Sequence, residues 1–207
     1  MPVTVVDHPL AGEQLARLRD SRTDRAAFRQ AMDELSGMLV YEACRTLAVV
    51  DGTVDTPLGP APARRVAAWP VVVPILRAGL GMMNAVLRLL PGTDTAFIGV
   101  ARDETTHQPE PYMLKVPEDL RDRPVLVLDP MLATGGSLLH ACGLLAERGA
   151  GPIVAVCVLA APEGIAAVEA SPIGIHVVTA SIDDHLNADA FIVPGLGDAG
   201  DRLFGTA

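Results

Sequence analysis

The sequence predicts an α/β fold in which a mostly parallel, doubly wound sheet carries helices on both faces. Short apolar runs alternate with segments of helical period, and polar residues do not alternate inside the runs, which is typical of strands buried on both faces. Half of the residues are hydrophobic and only 3% are aromatic, so we expect a core of aliphatic side chains. The length of 207 residues suits one domain, and we expect a single domain over residues 1–207.

The predicted elements follow in order along the chain. An amphipathic helix is predicted from Asp24 to Val50, with Thr23 or Asp24 as its N-cap. Residues 51–68 are rich in proline and glycine and predict a loop or irregular arm. Strands are then predicted at Val71–Ile75, Thr95–Ala101, Val125–Leu128, Ile153–Ala160 and Ile175–Ala180, and helices at Gly79–Leu90, Ser137–Arg148 and Glu163–Ala170. The closing segment, Asn187–Ala207, has no helical period and predicts loop and short strand.

The composition narrows the classes of function. The formal net charge of −9 disfavours a nucleic-acid partner, because phosphate backbones require a basic surface. The cysteines Cys44, Cys142 and Cys157 form no CxxC pair and predict free thiols in a reducing compartment, not a zinc site. The N-terminal residues lack a signal-peptide core, and no apolar run is long enough to span a bilayer. We therefore expect a cytoplasmic protein without a membrane partner.

The strongest local signal follows the strand at Val125–Leu128. The strand runs into Asp129, and a loop ending in Thr-Gly-Gly-Ser leads to a helix. The glycines let backbone N–H groups converge, the hydroxyls of Thr134 and Ser137 add donors, and the helix dipole lies behind them. This combination predicts a phosphate site, and the alternative is an ordinary helix start with a serine cap. No lysine follows the glycines, which excludes a Walker A loop. Asp129 could bind ribose hydroxyls or hold a metal through water, or it could cap the loop.

A second strand-to-helix turn, from Pro74 to Met83, contains glycines and one arginine, Arg77. An arginine there would give charge-assisted bonds to a pyrophosphate, and the alternative is a solvated or ion-paired surface side chain. Arg102 follows the next strand and opens a polar stretch that extends to Lys115.

The C-terminal run Phe191–Arg202 formally contains the GxGxxG pattern, at Gly195, Gly197 and Gly200. We reject a dinucleotide site, because no helix of useful length and no second strand of a βαβ unit are predicted after it.

Together these motifs resemble those of the uracil phosphoribosyltransferases, a family of the type I phosphoribosyltransferases. The segment Asp129–Ser137 resembles the family's loop for 5-phosphoribosyl pyrophosphate (PRPP), with Pro130 where most of the superfamily has a second acidic residue. The turn with Arg77 and the polar stretch with Arg102 also match. The C-terminal run resembles the uracil-binding loop, where backbone N–H and C=O groups can pair with the two carbonyls and the N–H of uracil. The resemblance covers essentially the whole chain.

The resemblance implies a set of functional residues. The implied PRPP ligands are Arg77, Arg102, Asp129, Pro130, Met131, Leu132, Ala133, Thr134, Gly135, Gly136, Ser137 and Asp198. The implied uracil ligands are Ile192, Gly197, Asp198 and Ala199. Catalytic roles fall to Asp198, Arg102 and Asp129. The implied reaction joins uracil to PRPP by direct displacement through an oxocarbenium-like transition state, giving UMP and pyrophosphate.

The resemblance also implies cofactors and partners. Mg²⁺ is expected to arrive on PRPP, with no direct protein ligand and with Asp129 reached through water. The implied type I phosphoribosyltransferase fold includes a C-terminal base-binding hood and a β-arm. A homo-oligomer, dimer or higher, is also expected. The resemblance also allows GTP as an allosteric ligand, for which the sequence indicates no site.

The sequence departs from the family pattern at two positions, and competing functions have less support. Phe191 and Val178 occupy positions where the family commonly has tyrosine. The segments Leu18–Arg19 and Ala161–Ile165 match the family and are interpreted as structural. Alternatives are an RNA-binding regulator of the same fold, which the acidic charge disfavours, and a purine or orotate enzyme, which Pro130 and the C-terminal loop disfavour. A PRPP-binding pseudoenzyme has no support in the sequence.

Overall fold

The computed structural model describes residues 3–102 and 109–205. The strands are β1 (Val3–Val5), β2 (Val49–Thr56), β3 (Gly59–Val66), β4 (Val71–Leu76), β5 (Asp94–Thr95), β6 (Phe97–Arg102), β7 (Pro109–Lys115), β8 (Val125–Leu128), β9 (Met131–Leu132), β10 (Ile153–Ala160), β11 (Ile175–Ile182), β12 (His185–Leu186) and β13 (Ile192–Val193). The α-helices are α1 (Pro9–Arg19), α2 (Arg25–Ala43), α3 (Met83–Leu89), α4 (Gly136–Glu147), α5 (Pro162–Ala170) and α6 (Ala199–Phe204), with 3₁₀ turns at Cys44–Thr46 and Ala78–Met82.

The central sheet has the strand order β1-β11-β10-β8-β4-β6-β7. Neighbours along this order pair in parallel, except β6 and β7, which are antiparallel. The chain proceeds from β4 towards β6 on one side, and from β8 towards β10 and β11 on the other. The direction therefore reverses between β4 and β8, and open α/β sheets bind ligands at such a switch point, outside the carboxyl ends of the strands.

The two faces of the sheet bury separate cores. Every residue of β8 and β10 is buried, and successive side chains point to opposite faces. One face packs Val72, Leu126 and Val156 with buried side chains of α1, α2, α3 and α6. The other packs Val73, Val127 and Ala155 with those of α4 and α5. The predicted doubly wound, mostly parallel sheet with helices on both faces is confirmed.

The predicted helix from Asp24 to Val50 is too long. Asp24 is its N-cap, as expected, and accepts a 2.9 Å hydrogen bond from the N–H of Ala27. The helix ends at Ala43, however, and Val49 and Val50 already belong to β2. The apolar period continues into the 3₁₀ turn, so the hydrophobic pattern alone does not mark the end of the helix.

Residues 51–68, predicted as a loop or irregular arm, belong mainly to a regular antiparallel hairpin of β2 and β3. Pro60 and Pro62 pair with Asp55 and Thr53 without ending the strand. Proline is tolerated because both strands of a two-stranded sheet are edge strands. A residue there can lack its N–H without leaving a carbonyl of a second neighbouring strand unpaired.

The C-terminal segment contains a helix that the sequence did not predict. The predicted short strand is present as β13, and α6 follows it. Six residues are too few to show a helical period, so the only local signals are the cap at Asp198 and Gly205, which ends the helix with φ 73°. Within the described residues, no helix is long and apolar enough to cross a membrane.

Candidate active site

Three adjoining cavities lie at the carboxyl edge of the sheet, at the switch point, and Asp129 lines all three. The base-side cavity, about 300 Å³, is lined by Ala78, Asp129, Met131, Ala133, 189–192 and 197–200. The cradle cavity, about 70 Å³, is lined by Asp129 and 131–138. The Arg77-side cavity, about 420 Å³, is lined by 75–78, Val100, Tyr112, Asp129, Ser137, Asp198 and Gly200.

Asp129 stands directly after β8, where the central strand ends. Its backbone N–H donates to Val156 O at 3.2 Å, and its Oδ1 accepts a long 3.4 Å bond from the N–H of Met131. Burial raises the pKa of Asp129 to about 7, and the bond from Met131 offsets this only in part. A carboxyl with so few partners at the junction of three cavities is available to bind ligand hydroxyls or hydrated metal.

The cradle cavity is formed by the turn that starts α4. Gly135 adopts a left-handed conformation, φ 84°, which glycine adopts without strain, and Gly136 is the first helical residue. The N–H of Gly136 points towards Thr134 Oγ1 at 3.4 Å, and Ser137 lines both this cavity and the Arg77-side one. The first amides of α4 have no carbonyl partner within the helix and border a small concavity here, which suits a phosphate.

The residues beneath the cradle support it. Pro130 is buried, and its carbonyl accepts bonds from the N–H groups of Val158 and Leu159. Leu132 is also buried, pairs with Ala160 of β10 and belongs to the cradle's floor. Helix α5 approaches closely at Gly164, where a Cβ would lie 2.4 Å from the carbonyl oxygen of Ala133. The family-like segment Ala161–Ile165 thus has the structural position that we expected.

Arg77 follows β4, on the other side of the switch point from Asp129. Its side chain is exposed in the Arg77-side cavity and has no hydrogen bond or ion pair with any described residue. The Leu76–Arg77 peptide bond is cis. Gly79 lets this loop lie against β8, since a Cβ there would be 2.4 Å from Leu128 O. Arg102 is the last residue of β6, the strand beside β4, but its side chain lies outside the described part of the chain.

The predicted uracil ligands border the base-side cavity. Ile192 and Ala199 are buried, whereas Gly197 has φ 79° and exposes its backbone. Asp198 lines the base-side and Arg77-side cavities, and its Oδ1 also caps α6 by accepting from the N–H of Asp201 at 2.9 Å. The structure thus gives Asp198 a helix-capping role that the sequence analysis had not recognised.

The base-side cavity is also lined by two residues that the sequence did not predict. The two residues that stand where the family commonly has tyrosine lie in different surroundings. Asp189 and Ala190 line it, and Ala190 has φ 61°, a backbone conformation without a sequence signal. The Phe191 ring is 46% exposed on the cavity wall. Val178 is buried within the sheet core, away from the solvent-facing wall.

An ion-pair network fixes the loop that carries the predicted uracil ligands. Arg19 makes two bonds to Asp183, at 2.5 and 2.7 Å, and a third to Gly195 O at 2.9 Å. Asp183 also accepts from the N–H of Gly195 at 2.8 Å and from Ser181 Oγ at 3.0 Å. Burial opposes ionisation of Asp183, but these bonds outweigh it and lower its pKa. Both backbone polar groups of Gly195 are therefore held by one buried carboxylate and its arginine.

A second arginine secures the same loop from its far end. The guanidinium of Arg202 donates to the carbonyls of Leu18, Leu196 and Asp20, and it lies 4.2 Å from the centroid of the Phe28 ring. The end of α1 is thereby joined to the C-terminal loop, consistent with the structural interpretation of Leu18–Arg19.

The fold and the site together define a type I phosphoribosyltransferase. Residues 5–206 match the family model described as uracil phosphoribosyltransferase, and the chain belongs to that family. It is 54% identical to a uracil phosphoribosyltransferase of Corynebacterium efficiens over 99% of this chain and 97% of that one. A solved structure of a protein from Aquifex aeolicus matches with a TM-score of 0.93 at 33% identity, over 99% of both chains. An adenine phosphoribosyl transferase from Trypanosoma brucei shares the fold, with a TM-score of 0.56 at 12% identity over 89% of this chain and 84% of that one.

Proposed function

We propose that the chain is a uracil phosphoribosyltransferase of pyrimidine salvage, converting uracil and PRPP to UMP and pyrophosphate. The observation that carries the proposal is the meeting of the three cavities at Asp129. PRPP has a 5-phosphate, a ribose and a pyrophosphate, and uracil must lie on the opposite side of the anomeric carbon from the pyrophosphate. A phosphate cradle, a base-side cavity and an arginine-bearing cavity around one carboxyl group match these four parts.

Each cavity then receives one part of the substrates. The 5-phosphate binds the amides and hydroxyls of the cradle, from Met131 to Ser137, with the helix dipole of α4 behind it. The ribose hydroxyls bind Asp129, and the pyrophosphate binds Arg77 and Arg102. Uracil binds backbone groups at Ile192, Gly197 and Ala199 together with the carboxylate of Asp198.

In the reaction, N1 of uracil forms a bond to the anomeric carbon while the bond from that carbon to pyrophosphate oxygen breaks. The bonding electrons leave on pyrophosphate, and the N1 proton passes to Asp198 or to water. No covalent nucleophile is needed, so the protein contributes alignment of the two substrates and stabilisation of the growing charge on the leaving group. Asp198 borders both cavities that flank the anomeric carbon, which supports its role in polarising the base.

Mg²⁺ fits this site as a partner of the substrate. Among the described residues, no cluster of three or more carboxylate, histidine or cysteine side chains could hold a metal. Two carboxylates, Asp129 and Asp198, nevertheless line the Arg77-side cavity, and Mg²⁺ commonly retains several waters and binds through substrate phosphates. When bound, the ion would neutralise charge on the pyrophosphate.

The experiment is incubation of the chain with PRPP, Mg²⁺ and one nucleobase at a time, with identification of the monophosphate. We expect UMP from uracil and loss of turnover in EDTA. Comparable turnover with hypoxanthine, adenine or orotate would contradict the base assignment. Full activity in EDTA would contradict the requirement for metal.

The proposal extends to the state of the enzyme in the cell. We propose that residues 1–207 act as one cytoplasmic domain and assemble into a homo-oligomer. GTP belongs to the same proposal as an allosteric partner without an assigned site. Initial rates measured with and without GTP test it, and identical rates over the whole PRPP range would remove GTP from the proposal.

A further inference from the structure

We infer that Tyr112 is a further substrate ligand, whose phenol hydroxyl binds the pyrophosphate end of PRPP. This inference rests on the proposed function and adds a residue to it. Tyr112 lies on β7, the edge strand of the central sheet, and its side chain lines the Arg77-side cavity together with Arg77 and Ser137.

The backbone directs this side chain by means of a β-bulge. Pairing between β6 and β7 passes from Gly99–Met113 directly to Val100–Pro111, so Tyr112 is the extra residue without a partner on β6. A bulge bends the strand and re-aims one side chain relative to the regular alternation of a strand. Here the residue at the bulge is Tyr112, which lies at the rim of the Arg77-side cavity.

Gly99 provides the space that the ring occupies. A Cβ on Gly99 would lie 2.6 Å from both Cε2 and Cζ of Tyr112, so the ring occupies the space that a side chain at position 99 would need. Any other residue at position 99 would displace the ring. The bulge thus sets the direction of the Tyr112 side chain, and Gly99 leaves the space for its ring.

The chemistry of the cavity explains why a neutral donor is useful there. Among the described residues lining it, Arg77 is the one cation, whereas Asp129 and Asp198 bring two carboxyl groups. Pyrophosphate carries several acceptor oxygens and can accept bonds from further donors besides the guanidinium groups of Arg77 and Arg102. The hydroxyls of Ser137 and Tyr112 donate without adding charge, and Tyr112, with a side chain 55% exposed, is accessible to a ligand.

The test is calorimetric titration of three ligands, in the presence of Mg²⁺, into the wild-type chain and Tyr112→Phe. We expect the dissociation constants for PRPP and for pyrophosphate to rise about fivefold, the size of one ordinary hydrogen bond. The constant for UMP should not change, because UMP occupies the cradle and the base-side cavity. The matched control is Tyr41→Phe, which alters the chain's other tyrosine, on α2 and 68% exposed.

A second variant tests the position of the ring without removing the hydroxyl. Gly99→Ala should push the ring aside and weaken pyrophosphate binding at least as much as Tyr112→Phe does. The severe clashes are with the far end of the Tyr112 side chain, and the 3.1 Å approach to Met113 Cβ needs only a small shift, so the far-UV circular dichroism spectrum should be unchanged.

Three results would overturn the inference. The first is wild-type affinity for pyrophosphate in Tyr112→Phe, and the second is equal weakening of all three ligands. If either occurs while the wild-type chain still forms UMP, only the role of Tyr112 fails. If the wild-type chain binds neither PRPP nor pyrophosphate, the proposed function fails and the inference fails with it.

Discussion

At the scale of single residues, Arg77 is an exposed cation whose side chain has no partner among the described residues. Arg77→Ala should raise the KM for PRPP ten- to a hundredfold, since each charge-assisted bond contributes about 1.5–3 kcal/mol. We expect a similar result for Arg102→Ala, and little change in thermal stability in either variant. Steady-state kinetics over a PRPP titration measure the effect. The control is Arg121→Ala, an exposed arginine paired with Asp119 at the amino edge of the sheet; if Arg77→Ala behaves like it, Arg77 is an ordinary surface residue.

Asp129 leads to a prediction about pH. Burial raises the pKa of Asp129 from its ordinary value of about 4 to about 7, so the folded chain disfavours the charged carboxylate. Stability should therefore fall as pH rises from about 4 to about 7, by at most about 4 kcal/mol. Asp129→Asn removes this cost and should melt several degrees above the wild-type chain at pH 8, with the difference shrinking towards pH 4.

The same variant should lose affinity for PRPP, since the amide cannot replace a carboxylate towards ribose hydroxyls and hydrated metal. Thermal melts at several pH values and calorimetric titration with PRPP measure the two effects separately. A variant that is less stable than wild type at pH 8 would show that Asp129 is stabilised in its charged form, contrary to this account.

At the scale of elements, the turn into α4 contains two glycines for which we predict different roles, ligand binding at Gly136 and a structural role at Gly135. At Gly136 an added Cβ meets only Thr134 Oγ1, at 3.7 Å, whereas Gly135 combines φ 84° with a 3.3 Å approach to Ala167. Gly136→Val should abolish PRPP binding with the fold retained, because the side chain projects into the small cradle. Gly135→Val should destabilise the protein itself.

Circular dichroism melts and PRPP titration on the same samples distinguish the two glycine variants. A well-folded Gly136→Val protein that binds PRPP with wild-type affinity would mean that this turn is not the phosphate cradle. Backbone strain does not contribute to the effect at position 136, because the positive φ belongs to its neighbour Gly135.

The loop after β13 depends on the pair of Arg19 and Asp183. Arg19→Lys keeps the charge but loses the bidentate ion pair with Asp183, so the loop should become less ordered. We expect the KM for uracil to rise about tenfold and the affinity for PRPP to remain unchanged. Because the pKa of Asp183 is lowered, the pair is intact at neutral pH and is lost only as pH falls through the acid range. The matched control is Arg22→Lys, whose partner Asp20 is solvent-exposed. Equal losses of uracil and PRPP affinity would indicate general unfolding in place of a positioning role.

At the scale of the whole molecule, the strands that are buried along their whole length were predicted most accurately from the sequence. The limits of β8 and β10 agree to the residue, because each run is apolar throughout, β8 ends before the polar residue Asp129, and β10 ends before Ala161, the N-cap of α5. For residues 51–68 only a loop or irregular arm was predicted, and the regular pairing of β2 with β3 was not, because the hairpin borders no core and so lacks an apolar pattern.

Some residues of the site could likewise be predicted from the sequence, and others could not. Asp129 and Arg77 could be proposed as neighbours because both follow strands whose carboxyl ends share one edge. The contact of Arg19 with Asp183 joins residues 164 positions apart, and the bulge at Tyr112 depends on pairing register. Neither has a local signal, so both become visible only in the folded chain.

The hairpin gives the last prediction, which concerns assembly. Every residue of β2 except Val54 is exposed, Leu58 at the tip is 99% exposed, and Trp69 at the base is 38% exposed. A two-stranded hairpin is marginally stable alone in water, and exposed apolar side chains concentrated on one projection favour a protein partner. We expect sedimentation equilibrium at micromolar concentration to give at least twice the chain mass. Leu58→Asp should shift the equilibrium towards the monomer without altering the melting of the central sheet. A monomeric wild-type chain would show that the hairpin is stable without a partner and would leave its exposed apolar side chains to some other role.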